Sequence, residues 1–97
     1  MIGEYVKYKE NIYIICREAG DMILILNPLD ESPMGKLNVK NTSVEVLPFD
    51  RAKVIAYRGR EYLVTLKGAV ISLIICRLMR WDEGNGDRKA ILSLAGL

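Results

Sequence analysis

The stretch at residues 61–75, EYLVTLKGAVISLII, constrains the fold of this chain more than any other. Two apolar runs rich in β-branched residues flank a short polar break at Lys67 and Gly68. Such runs favour strands, and a glycine at the break can take the positive φ that a tight hairpin turn requires. The stretch therefore predicts the central hairpin of an all-β protein.

Length and hydropathy limit the chain to one small globular unit. It has 97 residues, of which 51% are hydrophobic and 27% are charged, enough for a buried core and an ordinary charged surface. The longest apolar run, at residues 69–76, is far shorter than the roughly 20 residues that cross a bilayer. Charged residues interrupt the N-terminus, so we expect no signal peptide, no membrane partner and a cytoplasmic location.

Charge is distributed unevenly along the chain. Residues 1–48 carry five Lys/Arg against seven Asp/Glu, whereas residues 49–97 carry nine against five. The basic excess of the second half favours phosphate groups or acidic surfaces as partners. The alternative is that these side chains only keep an ordinary surface solvated.

The side chains of the chain exclude several kinds of chemistry. Cys16 and Cys76 each lie in an IICR tetrapeptide, whose apolar neighbours predict small buried thiols rather than a disulfide or a metal site. The chain has no histidine, which removes His-based general-base catalysis, the usual catalytic triad and the usual zinc sites. We therefore expect no catalytic residue, no metal, no cofactor and no enzymatic activity.

Alternating apolar residues predict short strands along most of the chain. In residues 12–17, Ile12, Ile14 and Cys16 are expected on one face and Tyr13, Ile15 and Arg17 on the other. Residues 22–26 are apolar at every position, which predicts a central strand covered on both faces.

The remaining segments are predicted to be strands and one loop, followed by a C-terminal segment that suits either a strand or a helix. Residues 29–35 are predicted to be a loop, whereas residues 36–40, 44–47, 53–57 and 77–81 are predicted to be strands. Residues 88–94, RKAILSL, suit either a last strand or a short helix. Seven residues make a marginal helix, so a strand is favoured.

The two halves share a sequence echo. Tyr8 and Tyr13 in the first half match Tyr57 and Tyr62 in the second, each pair separated by a basic residue and three others and followed by two aliphatic residues. A degenerate duplication of one strand-turn-strand unit would explain the match. The alternative is that unrelated β-hairpins begin in the same way.

The first half resembles a known class of small barrel. The features that carry the resemblance are YVKYKENIYII, the Gly20-Asp21 turn, the long loop before KLNVK and the ending NTSVEVLP. Through them, residues 4–48 resemble SH3-like barrels, the group that includes KOW and Tudor-type modules. This resemblance implies an SH3-like barrel half at residues 1–48, with a β-meander half at residues 49–97 packed against it. Such barrels host many unrelated binding roles.

The second half resembles a different family. From REYLVTLKGAVISL through RLMRW to RKAILSL, residues 60–94 are similar to the nuclease-associated modular domain found beside HNH-type endonucleases, many of them phage-encoded. The sequence departs from that family at Leu66, Ala69 and Cys76, where the family has a polar residue, a basic residue and a glycine. The matching positions are Tyr62, Val64, Thr65, Gly68, Val70, Ser72, Leu73, Arg77, Leu78, Met79, Arg80, Ala90, Ile91 and Leu92.

The second resemblance implies a small non-enzymatic binding module that serves as a nucleic-acid-binding accessory protein of phage or mobile-element type. Basic side chains on adjacent strands would then contact phosphates, and Trp81 or Tyr62 would stack on a base. The alternative is a protein-interaction or homodimerisation module, which an exposed apolar patch would distinguish. The predicted nucleic-acid-binding residues are Arg77, Arg80, Trp81, Arg88 and Lys89.

Overall fold

Antiparallel strands form most of the ordered structure, which confirms the predicted all-β class. The computed structural model describes residues 2–28, 33–38, 43–79 and 85–97. A C-terminal helix, α1, follows the strands at Asn85–Leu94. The strands are β1 (Tyr5–Tyr8), β2 (Asn11–Ala19), β3 (Met22–Leu26), β4 (Pro33–Asn38), β5 (Glu45–Val46), β6 (Lys53–Tyr57), β7 (Arg60–Val64), β8 (Val70–Ser72) and β9 (Arg77–Leu78).

The strands form two sheets, each built from one half of the chain. Sheet A has the order β4-β3-β2-β1-β5, and sheet B has the order β6-β7-β8-β9. Within the described residues, β4 and β5 lie at opposite edges of sheet A and are not paired with each other, so a closed barrel is not seen. The SH3-like barrel at residues 4–48 therefore stays a prediction.

The first hairpin of each sheet has the same construction. In each, both turn residues have positive φ, with 47° and 67° at Lys9 and Glu10 and 51° and 72° at Arg58 and Gly59. Two left-handed residues between antiparallel strands match the twist of a hairpin. The sequence echo thus corresponds to two equivalent hairpins. The flanking residues pair in the same register, as Tyr8 with Asn11 and as Tyr57 with Arg60.

The hairpin predicted at residues 61–75 is present but shorter than its apolar run. Strands β7 and β8 pair in the register Leu63 opposite Ile71, with Gly68 at φ 85° in the turn. The second strand ends at Ser72, and residues 73–76 form a turn. Cys76 takes φ 49° there, which reverses the chain so that β9 can pair with β8.

A β-bulge at Cys16 redirects the end of β2. Ile15 pairs with Ile25 and Arg17 pairs with Leu24, so Cys16 is the additional residue. Bulges interrupt strict alternation and increase local twist. Arg17 was predicted to share a face with Tyr13 and Ile15, and this prediction is wrong. Its guanidinium lies on the side of sheet A that faces sheet B, and it donates to backbone carbonyls of sheet B. The acceptors are Leu73 O and Ile74 O, each at 2.9 Å.

Sheet B is covered on both faces, which gives the described part of the molecule three layers. One face packs against sheet A, and the other packs against α1. The first interface buries Ile14, Cys16, Leu26, Ala52, Leu63, Ile71 and Cys76. The second buries Tyr62, Val64, Val70, Ile91 and Ala95. A further cluster lies on the other face of sheet A and contains Val6, Tyr13, Ile15, Ile23 and Ile25.

The strand favoured at residues 88–94 is wrong, since this segment lies within α1. The helix begins three residues earlier, and it buries Ile91 and Ala95 against sheet B. Tertiary packing of this kind stabilises helices that would be marginal alone. The Tyr57 hydroxyl donates to Asp87 Oδ1 at 3.0 Å near the helix start. Gly96, with φ 82°, ends the helix through bonds from Gly96 N to Ser93 O and from Leu97 N to Leu92 O.

Two further boundaries differ from the sequence-based expectation. The predicted loop at residues 29–35 is too long, because β4 already begins at Pro33 and pairs Gly35 with Ile25. A proline is tolerated there because β4 is an edge strand. The strand expected at residues 77–81 ends at Leu78, and residues 80–81 lie outside the described residues. By contrast, β3 is covered on both faces, as predicted.

Candidate functional site

The predicted nucleic-acid-binding residues do not form a row on adjacent strands. Arg77 is half-buried on β9, but Arg88 and Lys89 lie on α1, so their expected placement on a strand is wrong. Arg88 is half-buried and donates from Nη2 to Gly68 O at 2.9 Å, which joins the helix to the β7–β8 turn. Lys89 is exposed. Arg80 and Trp81 lie outside the described residues.

A groove with a volume of about 880 Å³ lies where the two sheets meet. Sheet A contributes one wall, through β1, the start of β2 and the residues after β3. The β7–β8 turn, the end of sheet B and α1 contribute the other wall, and the linker between the sheets completes the lining. The lining residues are Tyr5, Glu10, Asn11, Ile12, Asn27, Pro28, Phe49, Asp50, Thr65, Leu66, Lys67, Gly68, Ala69, Leu78, Met79 and Arg88.

Some of the exposed apolar side chains of the described residues line this groove, although most of them lie elsewhere. Ile12, Phe49 and Leu66 are 44%, 52% and 61% exposed, and all three line it. The rings of Tyr5 and Phe49 pack edge to face with centroids 5.8 Å apart. Burial raises the pKa of Tyr5, so its phenol stays neutral at physiological pH.

The acidic and the basic side chains that line the groove come from different segments of the chain. Glu10 comes from the β1–β2 turn of sheet A, and Asp50 comes from the linker. Lys67 comes from the β7–β8 turn and Arg88 from α1. Glu10 also forms an exposed ion pair with Lys7, at 3.7 Å. The acidic lining residues therefore come from sheet A and the linker, and the basic lining residues come from the β7–β8 turn and α1.

The β7–β8 turn holds its exposed residues in a fixed conformation. Thr65 is buried, and its Oγ1 accepts a hydrogen bond from Ala69 N at 3.0 Å. Two backbone bonds close the same turn, from Thr65 N to Ala69 O at 2.9 Å and from Gly68 N to Thr65 O at 3.0 Å. Leu66 and Lys67 are thus presented to solvent from a rigid frame rather than from a loose loop.

Sequence reasoning missed the groove because its walls come from distant segments. The signals that could have suggested it are apolar residues at positions where turns and linkers are usually polar, namely Phe49 and Leu66. Neither indicates a site by itself. Only the pairing of the sheets brings them near Tyr5 and Ile12.

The two thiols are buried together between the sheets. Cys16 and Cys76 are both free and each is 2% exposed, which confirms the prediction that they are buried. Cys16 Sγ lies 3.4 Å from Leu24 O, and Cys76 Sγ lies 3.7 Å from Leu73 O. Burial, together with the charge and hydrogen bond of the neighbouring Cys76 thiol, raises the pKa of Cys16 to about 12.

This raised pKa predicts a loss of stability at alkaline pH. The ordinary thiol pKa is 9.0, so the stabilisation linked to Cys16 is complete below pH 9 and disappears as the pH rises towards 12. Under reducing conditions, the free energy of unfolding should fall with pH more steeply in the wild type than in Cys16→Ala, by roughly 1 kcal/mol per pH unit. Denaturant titrations between these limits measure both slopes, and parallel slopes would contradict the assignment.

The described residues contain neither a metal-binding cluster nor a membrane-spanning helix. No group of three or more Cys, Asp or Glu side chains in the described ranges is arranged to hold a metal ion. No helix in the same ranges has the length and apolar character needed to cross a bilayer. Comparisons with protein-family models, with curated proteins and with solved structures found no match to this chain.

Proposed function

We propose that this protein is a non-enzymatic protein-interaction module whose binding site is the groove between the two sheets. The observation that carries the proposal is that exposed Ile12, Phe49 and Leu66, which come from three separate segments of the chain, line one groove. Exposed apolar side chains gathered in one groove are a feature of ligand-binding and protein-binding sites. The rigid frame of the β7–β8 turn supports the proposal, because ordered contact residues lose little entropy on binding.

The charges of the groove specify the chemistry of the partner. An extended peptide segment with a large apolar side chain would fill the space between Phe49 and Leu66. A basic group on one side of that residue would meet Glu10 and Asp50, and an acidic group on the other side would meet Lys67. Such charge pairs favour one orientation of the peptide more than they raise affinity.

A peptide-display selection against the immobilised protein tests this proposal. We expect enriched sequences with a central aromatic or large aliphatic residue and affinities on the order of micromolar. Leu66→Ser should weaken binding at least about tenfold, because truncating a hot-spot contact at the centre of an interface costs about 2 kcal/mol or more and about 1.4 kcal/mol corresponds to a factor of ten. Leu66 is 61% exposed, so its replacement should leave the fold intact.

The chain offers a matched control for this test. Ile75 is 59% exposed, is similarly apolar and does not line the groove. Ile75→Ser should therefore bind the selected peptides as the wild type does. Peptides that bind Leu66→Ser and the wild type equally well, or the absence of any enrichment, would contradict the proposal.

Nucleic-acid binding is the second candidate, and one feature of the same groove favours it. Lys67 and Arg88 line the same groove as the aromatic pair Tyr5 and Phe49, a combination that suits a phosphate and a stacked base. In this candidate the protein would be the accessory module of phage or mobile-element type implied by residues 60–94. Oligonucleotide binding that weakens steeply with salt and is lost in Lys67→Gln would favour it over the peptide proposal.

We also propose a cytoplasmic location. Cys16 and Cys76 are free thiols in this structure, and a reducing compartment keeps such thiols reduced. Cell fractionation with an antibody against the native protein tests this assignment.

A further inference from the structure

Hydrogen bonds between the two sheets join the segments that carry the two cysteines. Cys16 lies at the bulge of β2 in sheet A, and Cys76 ends the turn at residues 73–76 of sheet B. Arg17, the residue after Cys16, donates two hydrogen bonds of 2.9 Å to the carbonyls of Leu73 and Ile74. The turn that carries Cys76 is therefore fastened to the strand that carries Cys16.

Cys76 combines a left-handed backbone conformation with a buried thiol. Its φ is 49°, in the left-handed region where a β-carbon is unfavourable and glycine is preferred. Here the thiol is buried in the inter-sheet cluster that also contains Cys16, and its Sγ lies 3.7 Å from Leu73 O.

We propose that Cys16 and Cys76 are the site of a reversible intramolecular disulfide that links sheet A to sheet B under oxidising conditions. This inference is independent of the proposed function, although the linkage would fix the two walls of the groove relative to each other. The hydrogen bonds of Arg17 join the strand that carries Cys16 to the turn that carries Cys76, so the two cysteines lie on segments that are already held together.

The oxidant is a small-molecule disulfide such as oxidised glutathione. One cysteine thiolate attacks it, releases one glutathione thiolate and forms a mixed disulfide with the protein. The second cysteine thiolate then displaces the second glutathione, which forms the Cys16–Cys76 bond. The two protein thiols lose two electrons and two protons in total, and the oxidant becomes two molecules of reduced glutathione.

Because both thiols are buried, their oxidation requires a transient opening of the structure. Both sulfurs are nearly inaccessible, and the raised pKa of Cys16 leaves little thiolate at neutral pH. Oxidation should therefore proceed through transient opening of the turn at residues 73–76. Arg17→Met, which removes the two hydrogen bonds that hold this turn, should accelerate the first step and make mixed disulfides easier to trap.

The test incubates the folded chain with oxidised glutathione and measures intact mass, peptide maps and thermal unfolding. We expect a monomer that has lost two hydrogen atoms, a Cys16–Cys76 cross-linked peptide, and a melting temperature raised by about 10 °C or more. Reduction with dithiothreitol should reverse all three changes. The melting temperature rises because the disulfide closes a long loop between the two cysteines and so lowers the entropy of the unfolded chain.

Cys76→Gly is the control variant, because glycine suits the left-handed backbone at this position and removes the thiol pair. Its melting temperature should not change with oxidised glutathione. Three results would each overturn the proposal: stable glutathione adducts on both cysteines, a disulfide-linked dimer as the main product, or an intramolecular disulfide that lowers the melting temperature.

Discussion

Leu63→Ala lowers the free energy of unfolding by about 3 kcal/mol in our account of the core. Leu63 is 0% exposed and belongs to the cluster that sheets A and B bury together. Truncation removes apolar contacts on both sides of this interface and leaves a cavity, and such Leu→Ala changes cost about 2 to 5 kcal/mol. Urea titration followed by circular dichroism measures the change.

Val54→Ala is the matched control for Leu63. Val54 lies directly opposite Leu63 on the neighbouring strand, yet it is 48% exposed. Its truncation should cost less than about 1 kcal/mol. Equal effects of the two variants would show that the face of sheet B around Leu63 is not buried against sheet A in solution.

Gly3→Ala has the second large effect that we expect, a loss of about 2 to 4 kcal/mol. Gly3 connects the sheets, since its N donates to Ile15 O at 2.8 Å and its O accepts from Ala52 N at 3.0 Å. Its φ is 89°, and an added β-carbon would lie 2.9 Å from Ala52 O. Alanine therefore combines an unfavourable backbone conformation with a clash against a backbone atom that cannot move without breaking the connection.

A second glycine separates these two contributions. Gly20 has φ 60°, but nothing lies within 4 Å of an added β-carbon. Gly20→Ala should therefore cost only about 1 kcal/mol, the conformational part of the effect. Differential scanning calorimetry of both variants measures the difference, and a Gly3→Ala protein as stable as Gly20→Ala would rule out the close contact with Ala52.

The strands were predictable where hydrophobic alternation and turn residues agree. The hairpin around Lys67 and Gly68 and the strand at residues 22–26 follow from such local signals, and both are present. The helix was missed because its stability comes from Ile91 and Ala95 packing on sheet B, a tertiary contact that seven residues of sequence do not reveal. The face of Arg17 was missed because a bulge depends on strand pairing rather than on alternation.

The candidate site was less predictable than the fold. Basic residues in the second half drew attention to Arg88, which does line the groove, but its bond to Gly68 O gives it a structural role as well. Phe49 and Leu66 carry no motif, and they gain significance only beside residues of the other sheet. Sites built at the junction of two sheets depend on long-range topology, whereas motifs depend on local spacing.

The most direct test of the central claim is a two-dimensional ¹H–¹⁵N NMR titration of the protein with a peptide obtained by display. If the groove between the sheets is the binding site, the largest shift changes will fall on the amides of residues 65–69 and on Phe49 and Asp50. The exposed turn containing Ile74 and Ile75 should change little. Large changes confined to that turn or to β6, with residues 65–69 unaffected, would contradict the claim.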